Sequence, residues 1–220
     1  IAVHPNFMRR GIGSFALKNL CEEAKNEGYD WIGAGFGADK PLLNFWLKNG
    51  FVPVHISPMR NIVSGEFSVI LVKPLNEKAG KIIWEVYRDF KVRFLEALSD
   101  VYYNLDPYVA ASLLNVQAVD FRGPSELTQS QRDRLMEYVQ GSLTYEGACD
   151  AVKRILFTHF LSSGRHRLRL ELKSEVELIC RCLQCRSWDK TADIVKVHPS
   201  EVKSDLRVNV GRLVAHYEAA

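Results

Sequence analysis

The sequence predicts an α+β chain, an α/β region followed by a mainly α-helical one. Three observations carry this. Strand-like apolar runs alternate with helix-period stripes through the first 74 residues; the period is helical for nearly all the rest; and 220 residues leave room for two modest hydrophobic cores. PLNEKAG separates the two regimes, giving a first domain at 1–75, a linker at 76–80 and a helical domain at 81–220.

IAVHP reads as a strand closed by Pro5, and from Ser14 apolar residues recur at Leu17, Leu20, Cys21 and Ala24, one face of a helix that Gly28 ends. YDWIGAGF is a near-continuous apolar strand. Asp39 then caps a short helix that tolerates Pro41 in its first turn, with Leu43, Trp46 and Leu47 toward the sheet and Gly50 as its stop. FVPVH and FSVILVK form a strand pair joined by ISPMRNIVSGE and ended by Pro74. Alternation of strand and helix predicts at least some parallel strands.

In the second region Ile83, Tyr87, Phe90, Phe94 and Leu98 share one helical stripe. Pro107 after Asp106 starts another helix, and Thr128 with Gln131 has capping-box spacing. A helix after Thr144 should bury Val152, Ile155, Leu156 and Phe160. The tail gives a short helix containing Ala192, a turn near Val197 and His198, and a helix from Pro199. That outline suits either a helix-turn-helix or an antiparallel pair completing a bundle.

Composition narrows the function classes. The chain is 47% apolar and 25% charged, without an apolar run near the ~20 residues of a membrane span. Ile1 sits directly in an apolar run with no signal-peptide features, as expected of a stretch cut from a longer protein. Five cysteines, an odd number, point to a reducing cytoplasm. Cys180, Cys182 and Cys185 offer three thiols in a helical run without a fourth ligand, which reads as packing rather than a metal site. Net charge is +3, split +2 over residues 1–80 and +1 over 81–220, so RNA binding must rest on local patches. Arg165, Arg167 and Arg169 in GRHRLRLELK, with Lys153 and Arg154, form the main one, and Lys196, Lys203 and Arg207 a second; each is also an ordinary solvated face.

The chemistry lies in MRRGIGS. A strand, a glycine loop and a helix start make a diphosphate cradle: Gly11 and Gly13 remove Cβ atoms, the first helical N–H groups point at the anion, and Arg9 and Arg10 add charge. Glycine pairs alone also make plain turns.

IAVHPNFMRRGIGS resembles the strand and pyrophosphate loop of the GNAT superfamily of N-acetyltransferases, whose pattern is Gln/Arg-x-x-Gly-x-Gly/Ala; Met8 stands where that pattern has Gln or Arg. The HP after the strand, FWLKNGFVPV and SGEFS are similar to one branch, the tRNA(Met) cytidine acetyltransferases and the eukaryotic relatives that modify ribosomal RNA. The resemblance implies a partial GNAT-type fold followed by a helical tRNA-binding region, with N4-acetylcytidine as product. It implies acetyl-CoA as cofactor, held by Ile1, Ala2, Val3, Met8, Arg9, Arg10, Gly11, Ile12, Gly13, Ser14 and Lys48. The Val3 backbone N–H would face the thioester carbonyl. ATP with magnesium would act only through a helicase-like module outside this stretch.

Proton removal from the cytidine amine has three candidates, His4, His55 and Glu66, although a histidine beside a strand end is more often structural and Glu66 is also an ordinary loop carboxylate; a group upstream of this stretch is a further candidate. Trp46 stands where many superfamily members carry the tyrosine that protonates the leaving thiolate. Two other readings stay open: a protein or small-molecule N-acetyltransferase with a helical regulatory domain, and a non-catalytic RNA- or partner-binding module.

Overall fold

The computed structural model describes residues 3–116, 120–125 and 127–218. The chain is α+β and divides into two compact units, Ile1–Phe90 and Lys91–Ala220.

The first unit opens with a single 3-10 turn at Pro5–Phe7, so Val3 and His4 lie outside any regular strand. It continues with α1 (Ile12–Asn26), β1 (Trp31–Gly37), α2 (Lys40–Lys48), β2 (Val52–Arg60), β3 (Phe67–Pro74) and the start of α3 (Glu77–Ala97). The sheet order is β1-β3-β2 and both pairings are antiparallel, so the parallel strands expected from the alternation are β1 and β2, which are not hydrogen-bonded neighbours. The physical reason is insertion: β1 and β2 run in the same direction around α2, but β3 turns back and takes the place between them. β2 also absorbs SPMR, leaving a connection of residues 61–66.

Phe36, Val69 and Ile56 stand in register, and Phe36 stacks on Trp46 of α2; Leu17 and Cys21 of α1 and Leu43 of α2 are buried in the same unit. The opposite side carries Gly35, Ile70 and His55, and is exposed at that level. Asp39 caps α2 as its spacing predicts, its carboxylate accepting from the Leu42 amide at 3.3 Å. Asn76 accepts from the Ala79 amide at 2.9 Å, so α3 begins within PLNEKAG and the compact units divide inside this helix.

The second unit contains the end of α3, then α4 (Pro107–Leu114), α5 (Gln129–Gln140), α6 (Tyr145–Leu161), α7 (Leu172–Leu178), α8 (Trp188–Val195) and α9 (Pro199–Tyr217). Asp106 caps α4, and Thr128 and Gln131 form a reciprocal capping box on α5. Val152, Ile155, Leu156 and Phe160 of α6 are fully buried with Leu206, Val210 and Leu213 of α9. Lys91 is buried as well, its Nζ donating to the Phe160 and Leu161 carbonyls at 2.7 and 3.2 Å and so satisfying the C-terminal end of α6. α7 runs into a widened π turn at Ile179–Leu183. Cys180 and Cys182 are buried on this turn, and burial pushes both thiols up to about 12, so they pack as neutral groups; Cys185 is exposed. Among the described residues no helix is long and apolar enough to cross a membrane.

Candidate functional site

The two loop glycines do different things. Gly11 is the N-cap of α1 at φ +82°, a conformation open to glycine at no cost, and a Cβ there would meet nothing within 4 Å. It supplies no side-chain cap. The first bond of the helix is Phe15 N–H to the Gly11 carbonyl at 2.9 Å, so the Ile12, Gly13 and Ser14 amides have no acceptor within the helix. Gly13 instead allows close packing: a Cβ there would stand 3.3 Å from the Phe45 ring and 3.6 Å from Val3 Cγ2.

Asn49 locks the cradle to α2. Its Nδ2 donates to Ser14 Oγ at 3.2 Å and to the Phe45 carbonyl at 2.8 Å. Met8, Arg9, Arg10 and Lys48 are exposed; Arg9 takes φ +62°, and the Arg10 guanidinium lies 5.4 Å from the Phe7 ring. Free amides, open space beside Gly11 and two arginines fit a diphosphate, which a helix N-terminus also favours through its dipole. Ile1 and Ala2 lie outside the described residues.

The three proton-acceptor candidates occupy different places. His4 is exposed and caps the 3-10 turn, its Nδ1 accepting from the Asn6 amide at 3.3 Å. His55 is exposed on β2, in register with Ile70 and hence, across β3, with Gly35. That places it about 10 Å from β1, two strand spacings away. Glu66 comes directly to the end of β1: its carboxylate lies over Gly37, where any Cβ would collide with it. Gly37 follows Phe36, whose ring stacks on Trp46 at 5.9 Å; Trp46 also packs edge-on against Phe45 and Phe51 at 5.4 and 4.7 Å. Trp46 is therefore a packing residue at the position where the superfamily pattern places a hydroxyl.

The basic patch divides. Arg165 and Arg169 are exposed, Arg165 beside Asp120 at 3.2 Å, and Arg154 is exposed on α6. Lys153 is half-buried with its Nζ 5.6 Å from the Phe157 ring. Arg167 leaves the set. It is buried, donating to the Leu114 carbonyl at 3.0 Å, to Glu175 at 2.8 Å and to Asn115, because a buried carboxylate needs a cation more than solvent does.

Asn49 and Gly37 were not singled out by the sequence. Asn49 looks like an ordinary helix-end residue before Gly50, and Gly37 like one more glycine in WIGAGFG; their roles depend on Ser14 and Glu66, 35 and 29 residues away.

A family model described as GNAT acetyltransferase 2 matches residues 17–76, from within α1 through β3. The tRNA(Met) cytidine acetyltransferase TmcA of Methanopyrus kandleri is 42% identical over 218 residues, covering 99% of this chain and 25% of the relative. The protein of the same name from Thermofilum pendens is 42% identical over 207 residues, covering 94% of this chain and 26% of its own length. That from Pyrococcus furiosus is 39% identical over 221 residues, with 99% and 27% covered. The chain thus spans about a quarter of the length of these relatives.

Proposed function

Because this chain belongs to the tRNA(Met) cytidine acetyltransferase family, we propose that it holds acetyl-CoA and faces RNA in an enzyme that acetylates N4 of a cytidine in tRNA. The observation that carries the reading is Gly11: a left-handed N-cap without a capping side chain, opening a helix directly after two arginines. The α1 amides and Gly11 receive the diphosphate, Arg9 and Arg10 add charge, and Lys48 reaches a further phosphate of the cofactor. Acetyl-CoA supplies the acetyl thioester. The Val3 backbone N–H would donate to the thioester carbonyl oxygen, where negative charge would grow during attack.

The cytidine amine has a lone pair delocalised into the ring, so holding it in place matters more than deprotonating it beforehand. Its proton departs as the new C–N bond forms. Glu66 is the acceptor we favour, because its carboxylate lies over Gly37, next to Phe36, whose ring stacks on Trp46. Trp46 has no hydroxyl, so the proton for the thiolate comes from elsewhere. Arg154, Arg165 and Arg169, with Lys153 beside them, contact tRNA phosphates. ATP with magnesium serves a module of the whole protein outside this chain, and the protein works in the cytoplasm with its tRNA.

Two measurements test this. Calorimetry of the chain with acetyl-CoA should show binding that Gly11→Glu abolishes, through bulk and like charge; unchanged affinity would overturn the loop assignment. Incubation of the whole protein with unmodified tRNA, ATP and radiolabelled acetyl-CoA should place label on cytidine, and label on protein or small-molecule amines alone would replace this reading with the other acetyltransferase one.

A further inference from the structure

A second cavity, unrelated to the loop, lies in the helical unit. Its wall is aromatic: Tyr138 of α5, Tyr145 at the first turn of α6 and Trp188 at the first turn of α8, with ring centroids 6.3 Å and 5.4 Å apart along the series. Arg181, on the π turn, stacks 4.5 Å from both the Tyr145 and Trp188 rings and lies 3.5 Å from Glu146. The Glu146 carboxylate also accepts from its own amide, the Thr144 hydroxyl and the Trp188 indole, which holds it below the usual carboxylate range. Glu146 thus answers both Arg181 and the helix start.

Two cations remain. Lys203 and Arg207, one turn apart on α9, line the cavity with Nζ 5.5 Å from the Trp188 ring and Cζ 5.2 Å from the Tyr138 ring. Among the described residues neither has a carboxylate partner; Arg207 is hydrogen-bonded to the Tyr138 hydroxyl, and its Nε is buried without an acceptor. The cavity, about 190 Å³, has room for a phosphate and part of a nucleoside. Paired cations beside aromatic faces are what unpaired nucleotides bind to, charge taking the phosphate and the rings the sugar and base.

We infer that this cavity binds a nucleoside phosphate, its phosphate on Lys203 and Arg207 and its nucleoside against Trp188. The source is an unpaired stretch of RNA or a free mononucleotide. The inference leans on the proposed function only for the first of these sources, and it needs no acetyl transfer.

The test follows the Trp188 indole N–H resonance in the ¹⁵N-labelled chain, assigned with Trp188→Phe, during titration with a short single-stranded oligoribonucleotide, cytidine 5′-monophosphate, inorganic phosphate and polyglutamate. A nucleotide-dependent shift is expected. Movement with the oligonucleotide alone assigns the site to a strand, and movement with the mononucleotide to a free ligand. Lys203 is exposed and its removal leaves the fold intact, so Lys203→Gln should weaken oligonucleotide binding roughly fivefold and flatten its logarithmic salt dependence by about 0.7, with Lys203→Arg restoring both. Arg165→Gln with Arg169→Gln, and separately Gly11→Glu, should leave the Trp188 shift unchanged, which keeps failure here distinct from failure of the patch or the loop. A still resonance, an equal response to polyglutamate or inorganic phosphate, or unchanged affinity in Lys203→Gln would overturn the inference.

Discussion

Arg167 Nη2 lies 2.8 Å from Glu175 Oε1, with both side chains almost wholly enclosed in the helical unit. Glu175 also accepts from Asn115 and stands 3.5 Å from His159 Nε2, while His159 Nδ1 is 3.2 Å from the Tyr217 hydroxyl. Removing one charge from such a network leaves the other stranded. Arg167→Ala should therefore cost about 3–5 kcal/mol in urea denaturation, against about 0.5 kcal/mol or less for Arg165→Ala or Arg169→Ala. Equal effects at all three positions would mean that the buried pair contributes nothing special.

Two buried groups in the same unit respond to acid in opposite directions. Burial pushes His159 down to about 4 from 6.5, so as pH falls through this window the unfolded chain takes the proton first and stability drops. Burial, helped by Asp205 and opposed by Lys173, pushes Glu177 up to about 7 from 4.5, so the folded chain takes the proton first and gains stability as pH falls between those values. Lys173 Nζ stands 3.7 Å from Glu177 Oε1, and among the described residues neither Glu177 oxygen has a hydrogen-bond partner. Glu177→Gln should raise the melting temperature at pH 8, stay near wild type at pH 4, and lose stability more steeply between pH 6.5 and 4. Melting curves that match wild type at every pH would refute this account.

At the loop, geometry separates strain from occlusion. Gly11→Ala meets no atom but must hold φ +82°, so it should destabilise the first unit by about 1 kcal/mol and weaken acetyl-CoA binding far less than Gly11→Glu. Gly13→Val presses on Phe45 and should cost about 1–3 kcal/mol, as overpacking does. Thermal denaturation and calorimetry of the three variants rank them; a Gly11→Ala chain as stable as wild type would be inconsistent with the left-handed N-cap.

Glu66 and Gly37 should behave as one unit. If the carboxylate receives the amine proton, Glu66→Gln lowers kcat of the whole protein about 10²-fold, the range of a general base. Gly37→Ala, which displaces the same carboxylate, should follow in direction, and His55→Ala should change kcat little. A fully active Glu66→Gln enzyme would move the role to His4 or to a group outside this chain.

Much of the architecture was legible because it is written locally. Gly50 after the second helical stripe, Asp39 before Pro41 and the Thr128–Gln131 box each announce their elements through spacing alone, and all three act as expected. What stayed hidden is set by contacts across the chain. Alternating strands and helices suggested parallel strands, and β1 and β2 do run the same way, yet nothing in FSVILVK says that it inserts between them. Arg167 reads like Arg165 and Arg169 until Glu175, eight residues on, is seen to draw it inward. The aromatic cavity is likewise invisible, since Trp188 lies 43 residues beyond Tyr145.

The position of β3 also sets an order of assembly. Among the described strands, β3, the last in chain order, is the one that both others pair with, so β1 and β2 are joined in one sheet only once it is made. A chain stopped before Phe67 has two strands with no common neighbour, whereas one extended just past Pro74 has the whole three-stranded sheet.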